Sequence, residues 1–177
     1  TAVGAAIGGA VGAGAGAIIG NRMDKVKAQA AAVENAKVQG VTDANGLAAV
    51  KVSFDSGILF STNQSTLNAA AKTSLKKFAD VLKQNSDCDV AIYGHTDNTG
   101  TDAINNPLSE KRASSVSTYL KSCGVNAAQI RTVEGQGSTN PVADNSTVEG
   151  RKQNRRVEVY MYASEAMIKA AEEGSEK

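Results

Sequence analysis

The segment DVAIYGHTDNTGTDAINNPLSEKRASSVSTYLKSCG, residues 89–124, carries the pattern from which the fold is read. Val90 and Ile92 alternate with Asp89, Ala91 and Tyr93, the two-residue period of a strand over 89–94. Gly94 to Gly100 is a tight polar turn. Asn106-Pro107 reads as a helix cap with proline in the first helical position. Ala113, Val116 and Leu120 carry that helix to Gly124, a natural left-handed stop. A helix that follows a strand returns antiparallel to it, so Asp97 and Arg112 are expected at one edge of the sheet.

The same reading extends to both sides. Residues 48–54 form a strand in which Val50, Val52 and Phe54 alternate with Lys51 and Ser53. Ser65 caps a helix with the stripe Leu67, Ala71, Leu75, Phe78 and Leu82. Ile130 to Val133 is a third strand, 135–150 is mostly loop, and Val157, Val159 and Met161 alternate in a last strand. That order predicts an α+β domain over residues 48–162, a two-layer sandwich of one β-sheet with helices on one face. Residues 163–177 are a charged tail with helical character.

Upstream, the composition changes. Gly4, Gly8, Gly12, Gly16 and Gly20 recur every fourth residue, and no charge occurs before Arg22. In a helix that spacing makes a flat stripe for close helix approach, and twenty uncharged residues approach the length of a membrane crossing. Residues 1–20 are therefore expected to be a glycine-zipper helix for membrane insertion or self-association, a flexible Gly/Ala tail being the alternative. The chain begins at Thr1, so a leader and any lipid-bearing cysteine are expected to have been removed from it. Residues 21–47 read as a helical stalk and hairpin linker. Met23, Val26, Ala30 and Val33 form a thin apolar seam suited to a helical stalk or a weak coiled coil with a second stalk, Gly40 ends it, and Asp43-Ala44-Asn45-Gly46 is a turn.

Composition removes several function classes. Nineteen Lys+Arg against eighteen Asp+Glu leave a net charge of +1, and aromatics are 4% with no Trp, which argues against nucleic acid as a partner. Arg151, Lys152, Arg155 and Arg156 cluster, but Glu158 among them favours a local role over a phosphate patch. Two Cys and one His cannot make a four-ligand zinc site without carboxylates, and no cofactor or metal is expected. No Gly-x-Ser-x-Gly elbow accompanies His95, so that histidine is expected to hydrogen-bond within its turn, and the protein not to be an enzyme. Asp97, Arg112 and free helix amides suit a zwitterionic ligand. Spacing alone leaves a plain Asp97–Arg112 salt bridge equally open.

Several ordered motifs make a resemblance. Gly94-His95-Thr96-Asp97, Asn105-x-x-Leu108-Ser109-x-x-Arg112-Ala113 and Gly150-Arg151-x-x-Asn154-Arg155-Arg156-Val157-Glu158, with Phe54-Asp55-Ser56-Gly57 and Leu59-Phe60, resemble the OmpA-like peptidoglycan-binding domain. The resemblance implies a mixed β-sheet and a non-catalytic module that grips the diaminopimelate of the peptidoglycan stem peptide. By position, Asp97 would hold the ligand ammonium and Arg112 its carboxylate. Thr99, Asn105, Leu108, Arg155 and Asn63 would line the same pocket. Ser61 stands where many members carry Asp, Gln136 where an aromatic is usual, and Gln129 in place of a common Arg.

The glycine-rich head resembles that of envelope lipoproteins, which implies the cell outer membrane with the domain facing the periplasm. Tethering of that membrane to the wall is the expected role, with clustering into homo-oligomers through residues 1–20. An assembly component working through its glycine helix is the alternative reading. A motor stator fits less well, because the head has no ionisable residue. Cys88 and Cys123 are expected at the sheet edge opposite the polar loops. A disulfide is feasible there in an oxidising compartment, with two buried free thiols as the alternative.

Overall fold

The computed structural model describes residues 2–175, leaving Thr1 and the last two residues of the expected head and tail outside it. Helix α1 (Ala13–Ala31) leads into the hairpin β1 (Lys37–Thr42) and β2 (Ala48–Asp55). The short α2 (Ser56–Leu59), then α3 (Ala69–Gln84), β3 (Cys88–His95) and α4 (Asp102–Ser122) follow. β4 (Ile130–Gly135), α5 (Val148–Asn154), β5 (Arg156–Ala163) and α6 (Glu165–Ser175) complete the chain. The sheet order is β1-β2-β5-β3-β4, with only β3 and β4 parallel. It is the mixed sheet of an α+β sandwich.

Register decides what faces the helices. Val50 pairs with Met161 and Val52 with Val159, while Val90 and Ile92 meet the same two β5 residues from the other side. These side chains form the inner face of the sheet. They share one core with Phe54, Phe78, Leu75, Leu82, Val116 and Leu120.

α1 departs from expectation. Residues 2–12 are not helical: Gly4 and Gly9 have φ of +86° and +91°, and α1 straddles the boundary placed between head and stalk. Val3 is buried against Ala49, Ala91 and Tyr162 on the outer face of the sheet. The Ala44 amide donates to the Val3 carbonyl at 2.9 Å, and the Ile7 amide to Asn45 Oδ1 at 3.0 Å. This makes the head a strap rather than a free segment.

The seam Met23, Val26, Ala30 and Val33 is buried, as read, but its partner is the domain's own core rather than a second stalk. Arg22 anchors it through Asp87 at 2.6 Å and Asn85 at 3.1 Å. Gly12, Gly16 and Gly20 lie on the open side of α1, where an added Cβ would meet nothing within 4 Å. Among the described residues, no helix is long and apolar enough to cross a membrane.

Two helix starts also move. Asn68, not Ser65, caps α3 by accepting from the Ala71 amide at 2.8 Å, because Leu67 is drawn into a bridge with Phe60. α4 begins more than a turn before Asn106, since the Thr101 carbonyl already accepts from the Ile104 and Asn105 amides and Asp102 sits in the first turn. Pro107 is thus inside the helix. The 163–177 tail is amphipathic rather than merely charged: Met167, Ile168 and Ala171 join the core beside α1. Cys88 and Cys123 are free thiols rather than a bridge. Burial pushes the Cys88 thiol up to about 12, which keeps it protonated.

Candidate functional site

The front edge of the sheet opens into a cleft of about 690 Å³. Its walls come from α2, the 60–63 loop, the loop after β3, one side of α4 and Arg155 just ahead of β5. All seven residues expected at the site, Asn63, Asp97, Thr99, Asn105, Leu108, Arg112 and Arg155, line it together. Asn63 takes a φ of 58°, the left-handed region that Asn tolerates best among residues with a Cβ.

The loop after β3 is built around Asp97. Its Oδ1 accepts from the Thr99 amide at 2.8 Å, and the Thr99 carbonyl accepts from Asn105 Nδ2 at 2.9 Å, tying the turn to α4. Asp97 Oδ2 accepts from Arg155 Nη1 at 2.5 Å. Burial alone would raise this carboxyl, but the Thr99 amide and the Arg155 guanidinium together hold it below the usual carboxylate range.

Arg112 is treated differently. It is 5% exposed, its guanidinium lies 5.1 Å from the Phe60 ring centroid, and its Nε donates to the Gln64 carbonyl at 2.9 Å. Among the described residues, no carboxylate lies within ion-pair distance of it. Burial, and then repulsion from Arg155, lowers its pKa from the ordinary arginine value. The simple Asp97–Arg112 salt bridge is therefore not formed; Arg155 takes that acid and Arg112 stands without a counter-ion. Asp97 is the single acid in the lining, against two arginines. Such a cleft is suited to a ligand that brings a carboxylate to Arg112.

Free helix amides do not contribute next to Arg112. With α4 starting at Asp102, its first amides lie about 15 Å along the axis from Arg112 at 1.5 Å per residue. Phe60 and the Gln64 carbonyl support Arg112 instead. The Phe60 contact was not legible in the pattern, and a backbone carbonyl leaves no side-chain signal at all.

The Asn154-Arg155-Arg156 run separates into three jobs. Asn154, fully buried, accepts from the Val142 and Ala143 amides and pins the 142–145 loop. Arg155 enters the cleft. Arg156, the first residue of β5, points to the opposite face and donates to Glu158 Oε2 at 3.1 Å. His95 is there as well, with Nε2 2.9 Å from Glu158 Oε1, so it bonds across to β5 and not within its turn. Gln136 belongs to this back face too, held by Asn140, and Gln129 donates to the Leu82 and Asn85 carbonyls. Ser61 alone of the three departures lines the cleft, where it supplies no charge. Among the described residues, no group of three or more His, Cys, Asp or Glu side chains could hold a metal ion.

Burial would raise Glu158, but His95 and Arg156 overcome it and bring its pKa down from 4.5 to about 2. A carboxylate depressed in the folded state stabilises it above the unfolded pKa and loses that contribution as pH falls. The window runs from about 4.5 down to about 2, and the contribution is about 3 kcal/mol at 1.36 kcal/mol per unit. Thermal melts of Glu158→Gln should therefore fall well below wild type at pH 6 and converge with it toward pH 2. Parallel melting curves over that range would exclude this role.

Comparison with known proteins identifies the family of the domain that carries this cleft. The OmpA family profile matches residues 59–155. The peptidoglycan-binding protein ArfA of Mycobacterium tuberculosis is 48% identical over 102 residues, 58% of this chain and 31% of that protein. The outer-membrane lipoprotein YfiB of Pseudomonas aeruginosa is 42% identical over 108 residues, 61% of this chain and 64% of its own. The chain thus spans about a third to two-thirds of the length of these relatives. Among solved structures, the cell wall anchor of the T6SS from Pseudomonas aeruginosa superposes with a TM-score of 0.66 at 27% identity, covering 81% of this chain and 98% of that one.

Proposed function

The chain belongs to the OmpA family, and from that premise we propose that it is a non-catalytic cell-envelope anchor whose cleft binds the diaminopimelate of peptidoglycan and so tethers the outer membrane to the wall. The observation that carries the reading is Arg112, a buried cation that opens on the cleft without a counter-ion, beside an acid already in place. The free stereocentre of diaminopimelate bears an ammonium and a carboxylate on one carbon. Its carboxylate would meet Arg112, and its ammonium the oxygens of Asp97. Thr99, Asn105, Leu108 and Asn63 shape the walls, and Arg155 holds Asp97 ionised and oriented.

The cleft lining holds serines and threonines but neither His nor Cys to activate a nucleophile, which fits a binding role. The names of the relatives, one peptidoglycan-binding and one an outer-membrane lipoprotein, support a domain working in the periplasm against the wall. Clustering through the open glycine side of α1 remains the basis of the oligomeric reading. Removing residues 1–20 is no clean test of it, because Ala15 and Ile19 belong to the core.

Co-sedimentation of the full chain with purified sacculi tests the proposal. Wild type should pellet with diaminopimelate-type sacculi and stay in solution with lysine-type sacculi, and Asp97→Ala should lose most of the pelleting. Equal pelleting with both walls would remove the diaminopimelate specificity, and no pelleting by the folded protein would remove the anchoring role.

A further inference from the structure

We infer that the cleft selects its ligand by ionisation state: it takes a stem-peptide centre bearing a free carboxylate beside the ammonium and rejects the same centre when that carboxyl is a neutral carboxamide. The inference rests on the proposed reading of the cleft as peptidoglycan-binding and adds a selectivity to it.

The argument starts from the charges. Two guanidinium groups and one carboxylate line the cleft, and the carboxylate is already committed. Asp97 Oδ1 is held by the Thr99 amide and Oδ2 by Arg155, so Asp97 is not free to turn toward Arg112. The two arginines also differ in access to water. The Arg155 side chain is 40% exposed and screened, whereas Arg112 is 5% exposed, with Phe60 against it. The uncompensated charge that a ligand must answer is therefore on Arg112.

A carboxylate answers it in two ways. It cancels the charge in a place water reaches poorly, and it presents two acceptor oxygens to a fork of N–H donors. A carboxamide does neither. It has one acceptor oxygen, and its NH₂ group would face the donors of Arg112. Arg112 would then stay buried and unpaired in the complex, as it is without ligand, but now cut off from water as well. Its Nε is already used by the Gln64 carbonyl, which fixes the plane of the group and limits its escape to solvent. A wall whose centres are amidated at that carboxyl is accordingly a poor anchor site for this chain.

Calorimetric titration of the full chain tests this with two N-acetylmuramyl tetrapeptides. They are identical except that the free carboxyl of the diaminopimelate side-chain centre is an acid in one and a carboxamide in the other. The acid should bind, the amide should bind at least tenfold more weakly, and Arg112→Gln should bind both weakly and alike. An amide within threefold of the acid would overturn the selectivity while leaving the anchoring proposal standing. Binding of neither compound would overturn both. The wild-type pair decides the matter even where Arg112→Gln fails to fold.

Discussion

Arg112→Met is expected to weaken binding of diaminopimelate-type wall fragments at least a hundredfold while the unliganded domain keeps, or slightly gains, thermal stability. The two halves of that result have one cause. The guanidinium is buried without a counter-ion, so in the free protein its desolvation is not offset by a partner charge. Its recovered interactions are the hydrogen bond to the Gln64 carbonyl and the contact with the Phe60 ring. Methionine retains much of the packing on Phe60 and gives up about 1 kcal/mol of hydrogen bonding, against the desolvation it relieves. Binding has no such compensation, because a charge-assisted pair with the ligand carboxylate is lost outright. Titration calorimetry and a thermal melt on the same preparation read both halves. Retained affinity within a few fold would show that the ligand carboxylate lies elsewhere.

Gly94→Ala is expected to cost about 3 kcal/mol of stability or more, at the upper end of overpacking effects. A Cβ on Gly94 would stand 2.1 Å from the Ser109 carbonyl oxygen, and one on Gly135 would stand 2.3 Å from the Glu110 amide nitrogen. α4 lies directly on β3 and β4 at these two glycines, with no side-chain layer between. The obstacle is backbone, so relief requires the whole helix to move. Since α4 carries Asn105, Leu108 and Arg112, the variant should lose wall binding along with stability. Gly16→Ala is the control. Nothing lies within 4 Å of its added Cβ, so it should be neutral or stabilise α1 by up to about 1 kcal/mol. Urea unfolding that places Gly94→Ala within 0.5 kcal/mol of wild type would mean that α4 does not need this close approach.

Legibility in the sequence followed the range of the interactions. The strands at 48–54, 89–94 and 157–161 stood out because each alternates over enough residues to reveal a buried face, and the helix stripes of α3 and the later part of α4 did so at their own period. The seven site residues were reached through the family resemblance that the ordered motifs carry, and the fold brings all of them to one cleft. Helix starts were missed where a tertiary contact overrode a local signal. Leu67 pairs with Phe60 and shifts the α3 cap to Asn68, and the Thr101 carbonyl starts α4 ahead of Pro107. α5 was not read as a helix, its first three residues being taken into the 135–150 loop and Asn154 into the entry to the last strand, because seven residues are too few to show a period.

The amino-acid sequence by itself determined the α+β class, the sheet-forming segments, the near-neutral charge that disfavours nucleic acid, and which residues share the front edge. The first three follow from local periodicity and composition; of the edge residues, strand-and-helix geometry places Asp97 and Arg112, and the resemblance to the OmpA-like domain supplies the other five. Only the tertiary structure decided who partners whom. Asp97 goes to Arg155 rather than Arg112, because β5 lies beside β3 although the two are far apart in the chain. Arg155 and Arg156 go to opposite faces, because Arg155 is already extended as it leads into β5, successive residues of an extended chain alternate, and the sheet has both a cleft and a back surface. The seam of α1 turns inward on the sheet instead of pairing with a second stalk, because the inner faces of β1 and β2 extend the core beyond the two helices that a local reading supplies. A hydrophobic stripe specifies that it will be buried; what buries it is a property of the whole fold.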